Sequence, residues 1–297
     1  WPTRVGHPHA GLKGRDFVGD RIRACRARGM AVILYHNWWS KWAYDKHPDW
    51  RFVNARGMGT AEYMWRSNRY GVCCLNSPYA DFFLAQIEEL CRSYDFEGLW
   101  IEMIAWPYSV CFCGHCRRRY REETGRELPR VVNWEDPLWV SFQRRREAWL
   151  AELLARVTAT ARRLKPGVTV GYQSAPWSLG WACGVGSAFF AQGDYVYGDF
   201  YGGAAEQSLV CKLFADLSEQ PLFEFMSPQK VDLSDHTTLR PRARLAAQAF
   251  AALAHNGRQL FIDAIDPVGT LNPAVYEELG AVTGQTRPYE AFLEPDA

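Results

Sequence analysis

The sequence predicts an α/β protein built on a parallel sheet, and three features support this class. Six short apolar runs, rich in β-branched and aromatic residues, recur along the 297 residues. Segments with helical spacing alternate with these runs, as in parallel βαβ units. Gly29, Gly167 and Gly257 stand where a helix should end before the next strand begins.

The two kinds of element can be placed along the chain in order. The predicted strands cover residues 31–36, 98–104, 168–173, 194–200, 221–226 and 259–265. The predicted helices cover residues 16–28, 81–93, 137–164, 206–217, 241–254 and 273–282, several with Pro or Asp near the start. Two architectures satisfy this alternation, the doubly wound sheet and the (β/α)8 barrel.

Polar residues at the ends of the predicted strands favour the barrel. No glycine-rich phosphate loop follows any strand, although the doubly wound nucleotide-binding sheets use one. Polar or acidic residues stand instead at or near the C-terminal strand ends: His36, Asn37, Glu102, Gln173, Asp199, Glu224 and Asp263. In a barrel these ends meet at one mouth. We therefore expect one (β/α)8 TIM barrel domain over residues 1–297, with its first two strands absent from this sequence.

Composition and charge restrict the partners. Lys plus Arg (34) balance Asp plus Glu (33), so no net field attracts nucleic acid or an acidic membrane surface. The apolar runs are far shorter than the roughly 20 residues that cross a bilayer, and the N-terminal residues do not form a signal peptide. Nine cysteines, an odd number, fall below the level of a disulfide scaffold. These features predict a soluble, cytoplasmic protein, with homo-oligomerisation left open.

Aromatic and basic clusters have two interpretations each. Thirteen Trp are present, and the segment 38–42 holds three of them, which could form flat apolar platforms for sugar rings or could pack in the core. Two arginine triplets, at 117–119 and 144–146, have acidic neighbours. We interpret both triplets as solvated helix faces rather than as anion-binding sites.

Three cysteines in C-x-C-x2-C spacing form the strongest local motif. Cys111, Cys113 and Cys116 can point at one tetrahedral ion, and zinc takes four such ligands. Candidates for the fourth ligand are Cys73, Cys74 and His115. The motif predicts a zinc-binding loop insertion around residues 105–130, unless the three thiols are close by chance. The remaining cysteines, in helical or apolar contexts, are expected to be small buried hydrophobes.

These residues resemble known families. GLWIE at 98–102, CFCGHCRRRY from Cys111 and CLNSPY from Cys74 resemble the zinc-containing β-galactosidases of glycoside hydrolase family 42. That resemblance implies a structural zinc near the barrel mouth and selects Cys74 as its fourth ligand. Most of the chain is similar to bacterial proteins described as hypothetical glycosyl hydrolases, which share features with α-L-fucosidases. This second resemblance implies a TIM barrel and a carbohydrate substrate.

One departure affects the role of Glu102. The family 42 enzymes end their fourth strand with Asp-Asn-Glu, in which the Glu is the acid/base, whereas this chain has IEMI at 101–104. Glu102 therefore stands where their Asp stands. In the fucosidase-like comparison the same segment ends in a nucleophilic Asp. Both comparisons place a carboxylate at Glu102.

Glycoside hydrolysis requires a second carboxyl group across the scissile bond. Glu224 lies in an otherwise apolar strand, where a carboxylate is costly unless it faces a polar mouth or is paired. By strand count it occupies the nucleophile position of the family 42 enzymes. Asp199 and Asp263 are the alternatives, and each carboxylate could instead be a structural hydrogen-bond acceptor. We expect a retaining enzyme with Glu102 as acid/base and Glu224 as nucleophile, roles that the fucosidase-like comparison reverses.

Further polar and aromatic residues near the strand ends are candidates for sugar binding. They are His36, Asn37, Trp38, Trp39, Tyr172, Gln173, Trp177 and Asp263. A catalytically silent carbohydrate-binding barrel is the alternative function, since a fold does not fix an activity. A zinc hydrolase acting on amides or esters is disfavoured, because the chain has only seven His and no H-E-x-x-H motif.

Overall fold

A computed structural model describes residues 1–64, 68–175, 180–217, 223–228, 238–263 and 268–293, with the backbone alone for Ala204 and residues 223–228. The chain divides into two units. The first comprises residues 1–172 and 178–193, and the second comprises residues 173–177 and 194–297. The single barrel domain expected from the sequence stays a prediction.

The strands are parallel, as predicted. β1 (Ile33–Asn37) pairs with β2 (Gly98–Glu102), which pairs with β3 (Thr169–Gln173). In the second unit β4 (Val196–Asp199) pairs with β5 (Phe223–Pro228), and β5 pairs with β6 (Arg258–Ile262). Each strand overlaps a predicted apolar run, so the α/β class with parallel strands is confirmed.

The described residues also contain ten α-helices. They are α1 (Phe17–Arg26), α2 (Lys41–Lys46), α3 (Thr60–Tyr63), α4 (Tyr79–Ser93), α5 (Gly114–Thr124), α6 (Pro137–Leu164), α7 (Ser187–Phe190), α8 (Ala204–Asp216), α9 (Arg242–Ala254) and α10 (Pro273–Thr286). The six predicted helices correspond to α1, α4, α6, α8, α9 and α10. Asp16, Asp136 and Asn272 cap three of them by accepting a backbone N–H of the first turn.

The position of the core in the first unit shows which face of β1 points toward the helices. Helices α4 and α6 pack against each other, and Phe83, Ile87, Leu154 and Val157 between them are fully buried. His36 of β1 stacks on Phe83 of α4. Because strand residues alternate in direction, the neighbours of His36 in β1 point to the opposite face.

The second unit has its own core. Leu245 and Ala249 of α9 pack with Val282 of α10, and Phe261 of β6 lies against them. Across the described residues of both units, no helix is long and apolar enough to span a membrane.

Candidate functional site

Four side chains lie on one face of the strands at the C-terminal ends of β1 and β2. Two of them, Asn37 and Glu102, are predicted site residues, and the other two are their neighbours Tyr35 and Trp100. Asn37 is in register with Glu102, and Tyr35 with Trp100. The amide of Asn37 donates to the Tyr35 hydroxyl at 3.0 Å, and the backbone N–H of Trp39 donates to Oδ1 of Asn37 at 2.7 Å. The side chain of Asn37 is thereby fixed next to the strand end that carries Glu102.

Glu102 is a buried carboxylate with a defined orientation. It is 8% exposed, and its Oε2 accepts a hydrogen bond from the indole Nε1 of Trp100 at 2.8 Å. A carboxylate this buried is costly in an apolar environment and needs polar contacts. Trp100 supplies one such contact and holds the carboxylate at the end of β2.

The backbone directly after Glu102 is strained. Met103 has φ = 58°, in the left-handed region that residues other than glycine seldom adopt. Tyr108 has φ = 55°, so the loop that follows β2 contains a second such residue. Backbone strain of this kind clusters at functional sites, where the surrounding structure must stabilise it. The strain supports a functional assignment for the end of β2.

Three residues predicted to bind sugar point toward the helices or lie in the core. His36 is half-buried and stacks on Phe83, and desolvation of the ring lowers the pKa of the imidazole to about 4. Trp38 is 1% exposed and packs edge-on against the same Phe83 ring. The Tyr172 hydroxyl donates to a backbone carbonyl of α6 at 2.7 Å. The strand alternation directs His36 and Tyr172 toward the helices. Sugar binding by His36, Trp38 and Tyr172 stays a prediction that these positions do not favour.

Of the predicted acidic residues of the second unit, Asp199 ends β4 and Asp263 directly follows β6, whereas Glu224 is the second residue of β5 and stands near the N-terminal end of that strand. Asp199 ends β4, accepts a hydrogen bond from the Tyr201 hydroxyl at 2.9 Å, and has its pKa raised by burial. Glu224 is in β5, paired in register with Tyr197, but its side chain lies outside the described part of the structure. Asp263, which follows β6, accepts a hydrogen bond from the Tyr276 hydroxyl at 2.9 Å.

Two further predicted sugar contacts are Gln173, the last residue of β3, and Trp177, which follows β3 in the sequence. Gln173 is buried at the end of β3. Trp177 lies outside the described residues. Both stay predictions as sugar-binding residues.

The four predicted metal ligands come together. The sulfur atoms of Cys74, Cys111, Cys113 and Cys116 all lie within 4.8 Å of one another, and all four residues are buried. Cys74 and Cys116 are 3.3 Å apart at sulfur. Cys73, which was a candidate ligand, is not a member of this group.

The chemistry of this cluster fits a tetrahedral thiophilic ion. Four sulfurs around zinc at about 2.3 Å stand about 3.8 Å apart, close to the separations seen here. Burial raises the pKa of the Cys74 and Cys116 thiols, so a cation is needed to stabilise their thiolates. The backbone N–H and the side-chain amide of Asn76 donate to the sulfurs of Cys74 and Cys116, at 3.4 and 3.3 Å. The cluster could therefore hold a metal ion, with Asn76 orienting two of its ligands.

The structure also contains functional candidates that the sequence did not indicate. Trp134 and Trp181 are 51% and 39% exposed, and both rings pack edge-on against the buried Trp139. Trp134 lies in the loop between α5 and α6, and Trp181 begins a short 3-10 helix after β3. The contact of Trp100 with Glu102 was also missed, although their i, i+2 spacing in a strand places them on one face.

Comparison with protein families matches the N-terminal third of the chain. A family model described as hypothetical glycosyl hydrolase 6 matches residues 1–103, about a third of the chain. This segment contains β1, β2, Cys74 and Glu102, and over it the predicted resemblance to hypothetical glycosyl hydrolases is confirmed. A comparison with curated protein sequences found no match.

The fold is similar to that of solved glycosidase structures. An α-L-fucosidase isoenzyme 2 from Paenibacillus thiaminolyticus superposes with a TM-score of 0.77 at 19% identity, covering 99% of this chain and 43% of that one. A β-galactosidase from Bacillus circulans sp. alkalophilus gives 0.70 at 14% identity, with coverages of 95% and 49%. A catalytic mutant of a GH42 β-galactosidase from G. stearothermophilus gives 0.71 at 14%, with coverages of 97% and 51%. This chain thus spans about half the length of these proteins or less, and the likeness concerns the fold.

Proposed function

We propose that this chain carries the active site of a glycoside hydrolase on a (β/α)8 barrel. The observation that carries the proposal is Glu102, a buried carboxylate at the C-terminal end of β2, oriented by Trp100 and followed by the strained Met103. Catalytic residues of barrels lie at this end of the strands. The match of residues 1–103 to a glycosyl hydrolase family includes Glu102 and supports the proposal.

The reaction requires a second carboxyl group. We assign Glu102 as the acid/base and Glu224 as the nucleophile of a retaining mechanism, which uses two carboxyl groups. Glu102 would protonate the leaving oxygen while Glu224 attacks the anomeric carbon, and Glu102 would then deprotonate the incoming water. Asp199 is the alternative partner. Burial raises the pKa of its carboxyl and favours the protonated form, so in that pairing Asp199 would be the acid/base and Glu102 the nucleophile.

A structural zinc ion completes the proposed site region. Cys74, Cys111, Cys113 and Cys116 would hold it, and four thiolates leave no open position for water or substrate. Such an ion would fix the loop that follows Glu102 without entering the reaction. Four thiolates favour a soft ion such as zinc over ions that prefer oxygen ligands, and the resemblance to family 42 supports zinc among the soft ions.

The substrate class is a glycoside whose sugar contacts Asn37 and Trp39 near Glu102. An α-L-fucoside and a β-D-galactoside are the first choices, because the solved structures of similar fold are named as an α-L-fucosidase and a β-galactosidase. Gln173, Trp177 and Asp263 stay candidates for further sugar contacts.

The test is a panel of 4-nitrophenyl glycosides, beginning with those two sugars, with proton NMR of the first-formed anomer. Turnover of one glycoside with retention of configuration is the expected result. Saturable sugar binding without turnover of any glycoside would contradict the hydrolase and would favour a catalytically silent carbohydrate-binding barrel.

A further inference from the structure

Arg146 is a cation buried inside the first unit. It is 1% exposed, and its Nη1 donates to Oε1 of Gln143 at 2.6 Å. Its Nη2 donates to the backbone carbonyls of Ser109 and Ala182, at 2.8 and 3.1 Å. The guanidinium carbon lies 5.2 Å from the centre of the Trp106 ring. All of these partners are neutral.

Such a charge requires an anion nearby. Burial lowers the pKa of Arg146 to about 10, so the group is still positive at neutral pH. A buried ion without a counter-charge costs several kcal/mol, and neutral carbonyls offset only part of that cost. None of the ion pairs in the described part of the chain includes Arg146.

The cysteine cluster becomes the anionic group in this neighbourhood once it binds a metal ion. Cys116 and Cys111 are close enough to Arg146 for thiolate charge on them to act on the guanidinium. The guanidinium also binds the carbonyl of Ser109, two residues before Cys111. Arg146 is therefore linked to the cluster both by charge and through the backbone that leads into one of its ligands.

Glu147 is the rival counter-charge, and its link is indirect. Its Oε1 accepts from Nε2 of Gln143 at 2.9 Å, and the other end of that amide binds Arg146. A neutral amide thus separates Glu147 from the guanidinium. The cluster carries more charge, because four thiolates and one divalent cation sum to −2.

We propose that Arg146 is the buried counter-charge of a dianionic metal–tetrathiolate centre formed by the four clustered cysteines. Arg146 neutralises half of the charge of the centre, and its hydrogen bond to Ser109 positions the segment that delivers Cys111. In this role Arg146 is a positioning residue of the metal site. The inference rests on the metal ion proposed above and not on the hydrolase activity, and a wild type that binds no zinc would overturn it.

The test measures zinc affinity of the full chain by competition with a chromophoric chelator. Arg146→Met should weaken zinc binding on the order of 10- to 100-fold, as changes next to metal ligands do. Arg146→Lys should keep most of the affinity, because it keeps the charge. Glu147→Gln and Arg156→Met, an exposed arginine of the same helix, should bind zinc as the wild type does.

Three results with the variants would also overturn the proposal. The first is a folded Arg146→Met variant that binds zinc as tightly as the wild type. The second is an equal loss of zinc affinity in Arg146→Lys and Arg146→Met. The third is a loss of zinc affinity in Glu147→Gln that is comparable to the loss in Arg146→Met. Where Arg146→Met does not fold, Arg146→Lys decides the question alone, since retained zinc affinity supports the charge role and lost affinity contradicts it.

Discussion

The indole Nε1 of Trp100 donates a hydrogen bond to Oε2 of Glu102 at 2.8 Å, two residues along the same face of β2. An indole N–H can only donate, so the contact favours the carboxylate as an acceptor and fixes its direction. The left-handed Met103 then turns the chain away immediately after Glu102. The position and orientation of this carboxylate are thus determined by residues adjacent to it in sequence.

Trp100→Phe tests this contact, because it removes the donor and keeps most of the ring volume. We expect kcat to fall about ten- to hundred-fold with little change in KM, since a hydrogen bond to a charged group contributes about 1.5–3 kcal/mol. Tyr289→Phe, at an exposed ring outside the proposed site, is the control. Steady-state kinetics on a substrate identified from the glycoside panel gives both values, and an unchanged kcat in Trp100→Phe would show that the hydrogen bond has no catalytic role.

The cysteine cluster predicts one equivalent of tightly bound zinc. Cys113→Ser should lose the metal and the protection of backbone amides in residues 106–116, because the ligand holds this loop. Cys91→Ser alters a buried cysteine outside the cluster and should keep both. Elemental analysis and hydrogen exchange measure the two properties. A metal-free wild type with a protected loop would disprove the prediction.

Trp38 should contribute to stability rather than to sugar binding. Its ring is fully buried, so Trp38→Ala should cost about 3–5 kcal/mol of unfolding free energy. Trp39→Ala, at the half-buried neighbour, should cost less and should weaken sugar affinity. Urea unfolding and ligand titration distinguish the two residues. The assignment fails if Trp38→Ala unfolds like the wild type and binds sugar more weakly.

The sequence predicted the elements and the metal ligands well, for identifiable reasons. The apolar runs of β1 to β6 and the helical spacing are local patterns, and three of the four ligands lie within six residues. Side-chain direction was harder. Strand alternation tells which residues share a face, but both faces of a buried strand are apolar, so the sequence does not show that His36 and Tyr172 point toward the helices.

Arg146 shows a second limit of sequence reasoning. The triplet 144–146 was interpreted as a solvated helix face because acidic residues surround it in sequence. The structure exposes Arg144 and buries Arg146, since residues two apart on a helix point in different directions. The reason for burying a cation is the three-dimensional neighbourhood of Cys111 and Cys116, which no local pattern contains.

Asp199 should make stability depend on pH. Burial raises its pKa above the usual 3.8, so between these two values the folded protein holds a proton that the unfolded chain has lost. Its contribution to stability therefore falls as the pH rises through this window. Asp199→Asn should gain stability relative to the wild type as the pH rises from 4 to 7.

Urea unfolding at several pH values measures this difference, with the exposed Asp216→Asn as control. A difference between wild type and Asp199→Asn that stays constant with pH would contradict the burial of this carboxyl. For a carboxylate in an ion pair, the contribution to stability rises with pH instead of falling. The direction of the pH dependence therefore distinguishes a buried carboxyl from a paired one.

The central claim is that Glu102 is a catalytic carboxylate of a glycoside hydrolase. The most direct measurement is the kcat of Glu102→Gln on the glycoside that the wild type hydrolyses, with the exposed Glu152→Gln as control. We predict that Glu102→Gln folds and binds zinc as the wild type does but loses about 10²- to 10⁴-fold in kcat, as expected when a general acid is removed. Turnover by Glu102→Gln equal to that of the wild type and of Glu152→Gln would contradict the account and would place the chemistry elsewhere.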